Sequence, residues 1–310
     1  MNILLIATSV ILSSLSLYLI NKEFLKKKLV DKIINRSSHN TVATRSGGVS
    51  IFFTVFIIST YYYFNNYEIY NFSILVPLGI LLFVGMYDDL YNVDFKLKFI
   101  FQIIAAKILI DYGFVVDNLH GVFGIYEINR IFSQLLSIFI ITAIINAINF
   151  IDGIDGLAIT VVTLFIFLFE SLSVKYTSFF NLSTIIVFSI IPALVFNYRK
   201  DNKVFLGDSG SLFLGGLLSV YIMHIISPEY LIRKTFDINK IFYVFSIFIY
   251  PTIDLCRIVF LRLIKGKSPF EADRNHIHHY LIDKFQDHHK VVIIIMIFSL
   301  IGFTSIHLLI

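Results

Sequence analysis

Long apolar runs, each closed by a short polar cluster, repeat along the chain from end to end. The runs are about 15–22 residues long, the length a helix needs to cross a bilayer. Ten spans are drawn, at 2–20, 47–64, 72–87, 98–113, 131–150, 157–172, 178–197, 210–227, 241–262 and 291–310. Within each run successive positions are apolar, without the alternation of a membrane β-barrel. Every backbone group in lipid needs an internal partner, which leaves helices or closed barrels. The expected fold is therefore all-α, a polytopic transmembrane helical bundle forming one integral domain over residues 1–310. The first run lacks a basic leader and a small-residue cleavage site, so it is read as a helix and not as a signal peptide.

Composition agrees. The 310 residues are 57% hydrophobic and 15% charged, with a mean hydropathy of +0.82; a soluble domain carries about a quarter charged residues. Cys256, the lone cysteine, excludes an internal disulfide. A net charge of +4 gives no reason to expect a nucleic-acid partner; the lipid bilayer is the surrounding phase. One set of connections, 21–46, 88–97, 151–156, 198–209 and 263–290 counted with their flanks, holds most of the Lys and Arg, with "NKEFLKKKLVDK" the densest run. By the positive-inside rule this side is cytoplasmic, which puts both termini outside. Arg233, Lys234 and Lys240 in "LIRKTFDINK" run against that assignment locally.

The polar clusters all fall on the side read as cytoplasmic. "GMYDDLYN" ends the third span with Asp88 and Asp89. Adjacent helical side chains point about 100° apart, so the two carboxylates divide labour, one toward a metal and one toward a phosphate-bearing substrate. Two solvated acids closing a helix are the plainer alternative. In "NAINFIDGIDGLA", Asn146, Asn149, Asp152 and Asp155 recur every third residue, a polar stripe leading into Gly153 and Gly156. Amide and carboxylate side chains suit a nucleobase and ribose, although Asp-Gly is also ordinary turn chemistry.

"VFLGDSGSLFLGG" sets Asp208 between glycines just before a span. A glycine-rich helix start can cradle phosphate, and an aspartate there suits Mg²⁺; a simple helix cap is the alternative. "SPFEADRNHIHHYL" carries Arg274, His276, His278 and His279. His276 and His279 are spaced to share a helix face, with His278 pointing elsewhere. Guanidinium and imidazolium beside phosphate fit this set better than zinc, for which the cysteine and His-Glu-x-x-His patterns are missing. His288 and His289 read as solvated, with no role. Arg45 with Gly47 and Gly48 is either a further phosphate contact or an interfacial anchor.

The ordered set from "RSGG" near residue 45 to "HIHHYL" near 280 resembles the polyprenyl-phosphate N-acetylhexosamine-1-phosphate transferases, in the branch that uses UDP-N-acetylglucosamine or related amino sugars. The resemblance implies a multi-pass enzyme of the bacterial inner membrane with cytoplasmic catalytic loops. It transfers a sugar 1-phosphate from a UDP-activated amino sugar to a polyprenyl phosphate such as undecaprenyl phosphate and releases UMP. A Mg²⁺ cofactor is implied, with Mn²⁺ as an alternative, held by Asp208, Asp89 and Asp155. Asn149, Asp152 and Asp155 then face the uridine end or assist the metal. Arg45, Arg274, His276, His278 and His279 contact the donor diphosphate. Asp88 is a nucleophile or base toward the lipid phosphate. Asn92 stands where the family often has a further acid or amide, and is not read as a metal ligand. The identity of the sugar, the pathway and a homodimeric state stay open. Two other classes compete: a proton- or ion-coupled transporter, whose polar groups belong nearer mid-membrane, and a CDP-alcohol phosphotransferase, whose longer aspartate signature does not follow Asp155.

Overall fold

The computed structural model describes residues 3–31, 43–232, 240–269 and 273–309. Arg233 and Lys234, and the "FEA" of the histidine motif, lie outside the described residues. Twelve α-helices are present among them: α1 Ile3–Lys26, α2 Gly47–Phe64, α3 Leu75–Tyr91, α4 Phe95–Asp111, α5 Arg130–Ile151, α6 Leu157–Leu172, α7 Phe180–Asn197, α8 Gly207–Ile226, α9 Lys240–Ile247, α10 Ile249–Ile264, α11 Ile277–Phe285 and α12 His288–Leu309. A two-residue parallel pairing joins β1 (Ala43–Thr44) to β2 (Lys203–Val204). The chain is an all-α polytopic membrane protein.

Among the described residues seven helices are long and apolar enough to cross a membrane, or eight if α9 and α10 cross as one bent span. The ten expected runs shrink for local reasons. The run 98–113 lies in α4, which is 17 residues long and contains charged Lys98 and Lys107. The run 157–172 is α6, only 16 residues. At about 1.5 Å per residue these fall short of the roughly 30 Å hydrocarbon core. The run 241–262 breaks at Phe248, where α9 and α10 meet at 87°.

The described residues form two compact units, one of residues 1–105 and 176–216 and the other of 106–175 and 217–310. In the first, α1 packs on α7 and α2. Its buried face carries Ser9, Ser13 and Ser16 beside Leu5 and Leu17. Small side chains let membrane helices approach closely, and hydroxyls join them; Ser13 Oγ donates to the Ser189 carbonyl of α7 at 2.6 Å. The strand pairing continues into helix starts. Phe205 N–H donates to Thr44 O, and Gly47 and Gly48 N–H donate to Phe205 O and Leu206 O. Backbone donors at the start of α2, which have no partner inside the helix, are thereby satisfied. Arg45 is fixed beside the start of α8.

In the second unit α12 packs on α6, α9, α10 and α11, and α10 packs on α5. The start of α5 is set by Asn129, whose side chain accepts from Phe132 N–H. Ser133 and Ser137 of α5 hold the backbone of Val116 through its carbonyl and N–H.

Candidate functional site

In the first unit the acidic pair lies at the end of α3, where Asn92 takes the left-handed conformation (φ 51°) and returns its N–H to Asp88 O. This helix-ending turn reverses the chain into α4 and brings Lys98 back onto the pair. Lys98 Nζ donates to Asp88 Oδ2 and to Asp208 Oδ2, each at 2.9 Å. The other oxygen of Asp88 accepts Val93 N–H at 2.8 Å. One ammonium is therefore shared by two carboxylates drawn from helices 120 positions apart in sequence (208 − 88).

Asp89 points elsewhere. Its Oδ1 and Oδ2 accept the N–H groups of Asp208 and Ser209 at 2.9 and 3.0 Å, and Arg45 donates to Oδ1 at 3.2 Å. A carboxylate on the first free N–H groups of a helix is stabilised by those bonds and by the helix dipole. The glycine-rich start of α8, expected to cradle phosphate, is thus capped by Asp89. Gly207 makes this approach, with φ +74° and with the site of a Cβ only 2.6 Å from Asp89 Oδ2. Arg45 also pairs with Asp31 at 2.5 Å. Burial works against its charge, but Asp89, Asp31 and Asp208 outweigh it and raise the guanidinium pKa.

In the second unit the loop after α5 meets the histidine motif. Asn149 lies in the last turn of α5, and Asp152, capping that helix, donates its N–H to Asn149 O at 3.4 Å. Asp155 precedes α6; its carboxylate lies 2.9 Å from His288 Nδ1, and its N–H donates to the same nitrogen at 3.0 Å in the alternative tautomer. His288, read as solvated, therefore belongs to this cluster. His276, His278 and His279 stand together, with ring centroids 4.2–5.8 Å apart. His278 is fully buried, and its Nε2 finds no hydrogen-bond partner among the described residues. That nitrogen lies 2.6 Å from where a Cβ on Gly153 would stand, so a side chain at 153 would collide with the ring. His279 Nδ1 is likewise buried without a partner.

The protonation expected for the histidines changes here. Burial, then its histidine neighbours, holds His278 well below the usual histidine range, and burial with His276 and Arg274 holds His279 at about 4. Both rings are neutral at pH 7, where imidazolium was expected. His276 turns into the protein, with Nδ1 2.7 Å from Asp254 and Nε2 3.5 Å from Arg262. Arg274 pairs with Asp283 at the surface, 3.1 Å away. Among the described residues no three His, Cys, Asp or Glu side chains stand ready to hold a metal.

Lys98, Asp254, Arg262 and His288 were missed. Asp254 and Arg262 interrupt the apolar run 241–262, and an ionisable residue inside such a run is a functional candidate by default. Lys98 opens the run 98–113 and carried the same signal.

Residues 71–226 match the model of glycosyl transferase family 4. The chain is 28% identical over 286 residues to an undecaprenyl-phosphate alpha-N-acetylglucosaminyl 1-phosphate transferase of Salmonella typhi, covering 87% of this chain and 73% of the relative. The enzyme of that name from Yersinia pestis is 29% identical over 299 residues, covering 91% and 78%. A decaprenyl-phosphate N-acetylglucosaminephosphotransferase of Mycobacterium tuberculosis is 29% identical over 285 residues, covering 84% and 70%. The family match takes in Asp88, Asp89, Lys98, Asn149, Asp152, Asp155 and Asp208 and spans half of the sequence, and on that ground the chain belongs to glycosyl transferase family 4.

Proposed function

We propose that the protein transfers an N-acetylhexosamine 1-phosphate from a UDP-activated amino sugar to undecaprenyl phosphate, releases UMP, and so starts a bacterial cell-wall or surface polysaccharide. The names of the relatives support the acceptor and the N-acetylglucosaminyl phosphate group. The observation that carries the reading is the shared ammonium between Asp88 and Asp208 at two helix ends. Phosphoryl transfer asks for positioning and charge neutralisation more than for covalent help, and this cluster supplies both.

An oxygen of the lipid phosphate forms a bond to the sugar-bearing phosphorus. The bond from that phosphorus to the bridging oxygen breaks, and the bridging oxygen leaves on UMP. A phosphate monoester has a second pKa of about 6, so the acceptor is mostly a dianion at neutral pH and needs no strong base. Both oxygens of Asp88 are already held, by Lys98 and by Val93 N–H. This favours direct attack over an aspartyl intermediate. Lys98 is placed to meet negative charge developing on phosphate oxygens. His278 offers an unpartnered Nε2 beside Gly153 for the donor, with the His279 ring next to it, and Asn149 and Asp152 are assigned to its uridine end. Asp89 and Arg45 hold the start of α8 in place.

The donor set fits Mg²⁺, with Mn²⁺ as the alternative. Such an ion takes about one or two carboxylates and fills its shell with water and substrate oxygens, and Lys98 already places a cation between Asp88 and Asp208. When bound, it supplies charge neutralisation on the diphosphate. The basic connections support a cytoplasmic location for this chemistry in the bacterial inner membrane.

The test is to incubate purified protein with undecaprenyl phosphate and a panel of UDP-sugars and measure UMP. Release with at least one UDP-amino sugar, dependent on lipid phosphate and abolished by chelation, is expected. No UMP from any donor overturns the reading. A stoichiometric burst of UMP from donor alone in rapid quench overturns direct attack.

A further inference from the structure

Two residues of α10 just beyond the bend at Phe248 lie on one helix face against the histidine motif. Tyr250 and Asp254 are four apart, the spacing that stacks side chains on a helix. Asp254 is 1% exposed. Its Oδ2 lies 2.7 Å from His276 Nδ1, and its Oδ1 accepts Ile277 N–H at 2.9 Å. His276 is the N-cap residue of α11 but makes no side-chain cap of its own. Asp254 supplies that cap from another helix.

The proton positions follow from the partners. A carboxylate at Nδ1 requires the His276 proton there, which leaves Nε2 to accept from Arg262 Nη2 at 3.5 Å. Arg262 is itself 2% exposed and donates to Asp273 at 3.1 Å and to the Pro269 carbonyl. His278 has the opposite arrangement. Its Nδ1 lies 3.2 Å from the buried Tyr250 hydroxyl. If that hydroxyl donates, the neutral ring carries its proton on Nε2, the nitrogen left without a partner beside Gly153.

We infer that Tyr250 and Asp254 are positioning residues that set opposite tautomers in His278 and His276, so that His278 presents an Nε2–H donor to the sugar-nucleotide diphosphate. Neither residue touches substrate. Asp254 acts through His276 and the first turn of α11, and Tyr250 acts through His278. The inference rests on the proposed transferase reading for the identity of the ligand, but the tautomer assignment stands independently of it.

Two measurements separate these layers. Ring ¹⁵N spectra of histidine-labelled protein without substrate report the tautomers directly. One ring protonated at Nδ1 and lost in His276→Asn, and one protonated at Nε2 and shifted in Tyr250→Phe, are expected. A His278 ring protonated at Nδ1 overturns the inference even if UMP release is normal. If no UDP-sugar is turned over but the tautomers are as assigned, the functional reading fails and the positioning claim survives. In turnover, Tyr250→Phe removes one oxygen and keeps the packing. It is expected to raise the KM for the UDP-sugar about 10–100-fold, the usual effect of losing such a supporting bond, with the KM for undecaprenyl phosphate unchanged. Asp254→Asn is expected to do the same, with Asp254→Glu recovering part of the loss. An unchanged donor KM in Tyr250→Phe, or equal losses toward both substrates that follow a falling Tm, reduces both residues to packing and overturns the inference.

Discussion

The carboxylate of Asp89 caps the helix that begins at Asp208, accepting the N–H groups of Asp208 and Ser209 at 2.9 and 3.0 Å. Its neighbour Asp88 instead shares Lys98 with the side chain of Asp208. Two adjacent acids thus take different work, one fixing the backbone of α8 and the other facing its aspartate. The cap has a cost if removed. Asp89→Ala is expected to lower stability by about 1–2 kcal/mol through the lost cap, and to remove one of the two ion pairs of Arg45. Asp89→Asn keeps one acceptor and should lose less. Thermal unfolding in detergent checks this, and an unchanged Tm for the alanine variant is the adverse result.

Lys98 is shared by the carboxylates of Asp88 and Asp208, so its removal should be felt in the chemical step. Lys98→Met is expected to lower kcat by about 100-fold or more, the scale of losing one electrostatic contact at a reacting centre. Lys98→Arg should restore part of it. Steady-state UMP release distinguishes these outcomes, and wild-type kcat in Lys98→Met would remove Lys98 from the reaction.

Gly153 is set against the buried imidazole of His278, where a Cβ would stand 2.6 Å from Nε2 and 3.3 Å from His279 Nε2. The His278 ring is fully buried. Gly153→Ala should cost about 1–3 kcal/mol as an overpacked contact and weaken donor binding. Differential scanning of the variant with and without UDP-sugar tests both effects; retained stabilisation by the donor would count against the placement of the diphosphate here.

Burial gives the histidine cluster a pH signature. His279 is held at about 4 against an ordinary 6.5, and His278 also lies well below that value. In the unfolded chain both rings take up protons near pH 6.5, but in the folded protein only at much lower pH. Stability therefore falls as pH drops from about 6.5 toward 4, and these two residues contribute no slope above that window. Asp273 acts lower: burial raises it, but Arg262 and the Asn275 contacts bring it to about 2. Its contribution is complete above 3.8 and is lost as pH falls through 2. Tm measured between pH 7.5 and 5 should slope less steeply in His279→Gln than in the wild type.

The helical class was legible because apolar runs of bilayer length leave little else for a backbone in lipid. So were the polar motifs, since Asp, Asn, Gly and His stand out sharply in such runs. Their grouping within each unit was not. Nothing in "GMYDDLYN" tells that Asp88 reaches Lys98 while Asp89 reaches the start of α8; the left-handed turn at Asn92 decides that. Nothing in "HIHHYL" tells that His276 faces Asp254 while His278 ends beside Gly153.

The sequence by itself determined that this is a helical membrane protein and which residue types carry its chemistry, because hydropathy and residue identity are properties of short stretches of chain. Only the tertiary structure decided which acid caps a helix, which pairs with a lysine, and that His278 turns its unpartnered nitrogen to Gly153 while His276 turns to Asp254. Those outcomes depend on hydrogen bonds of fixed length and direction between segments far apart in the chain, and sequence spacing carries no information about them.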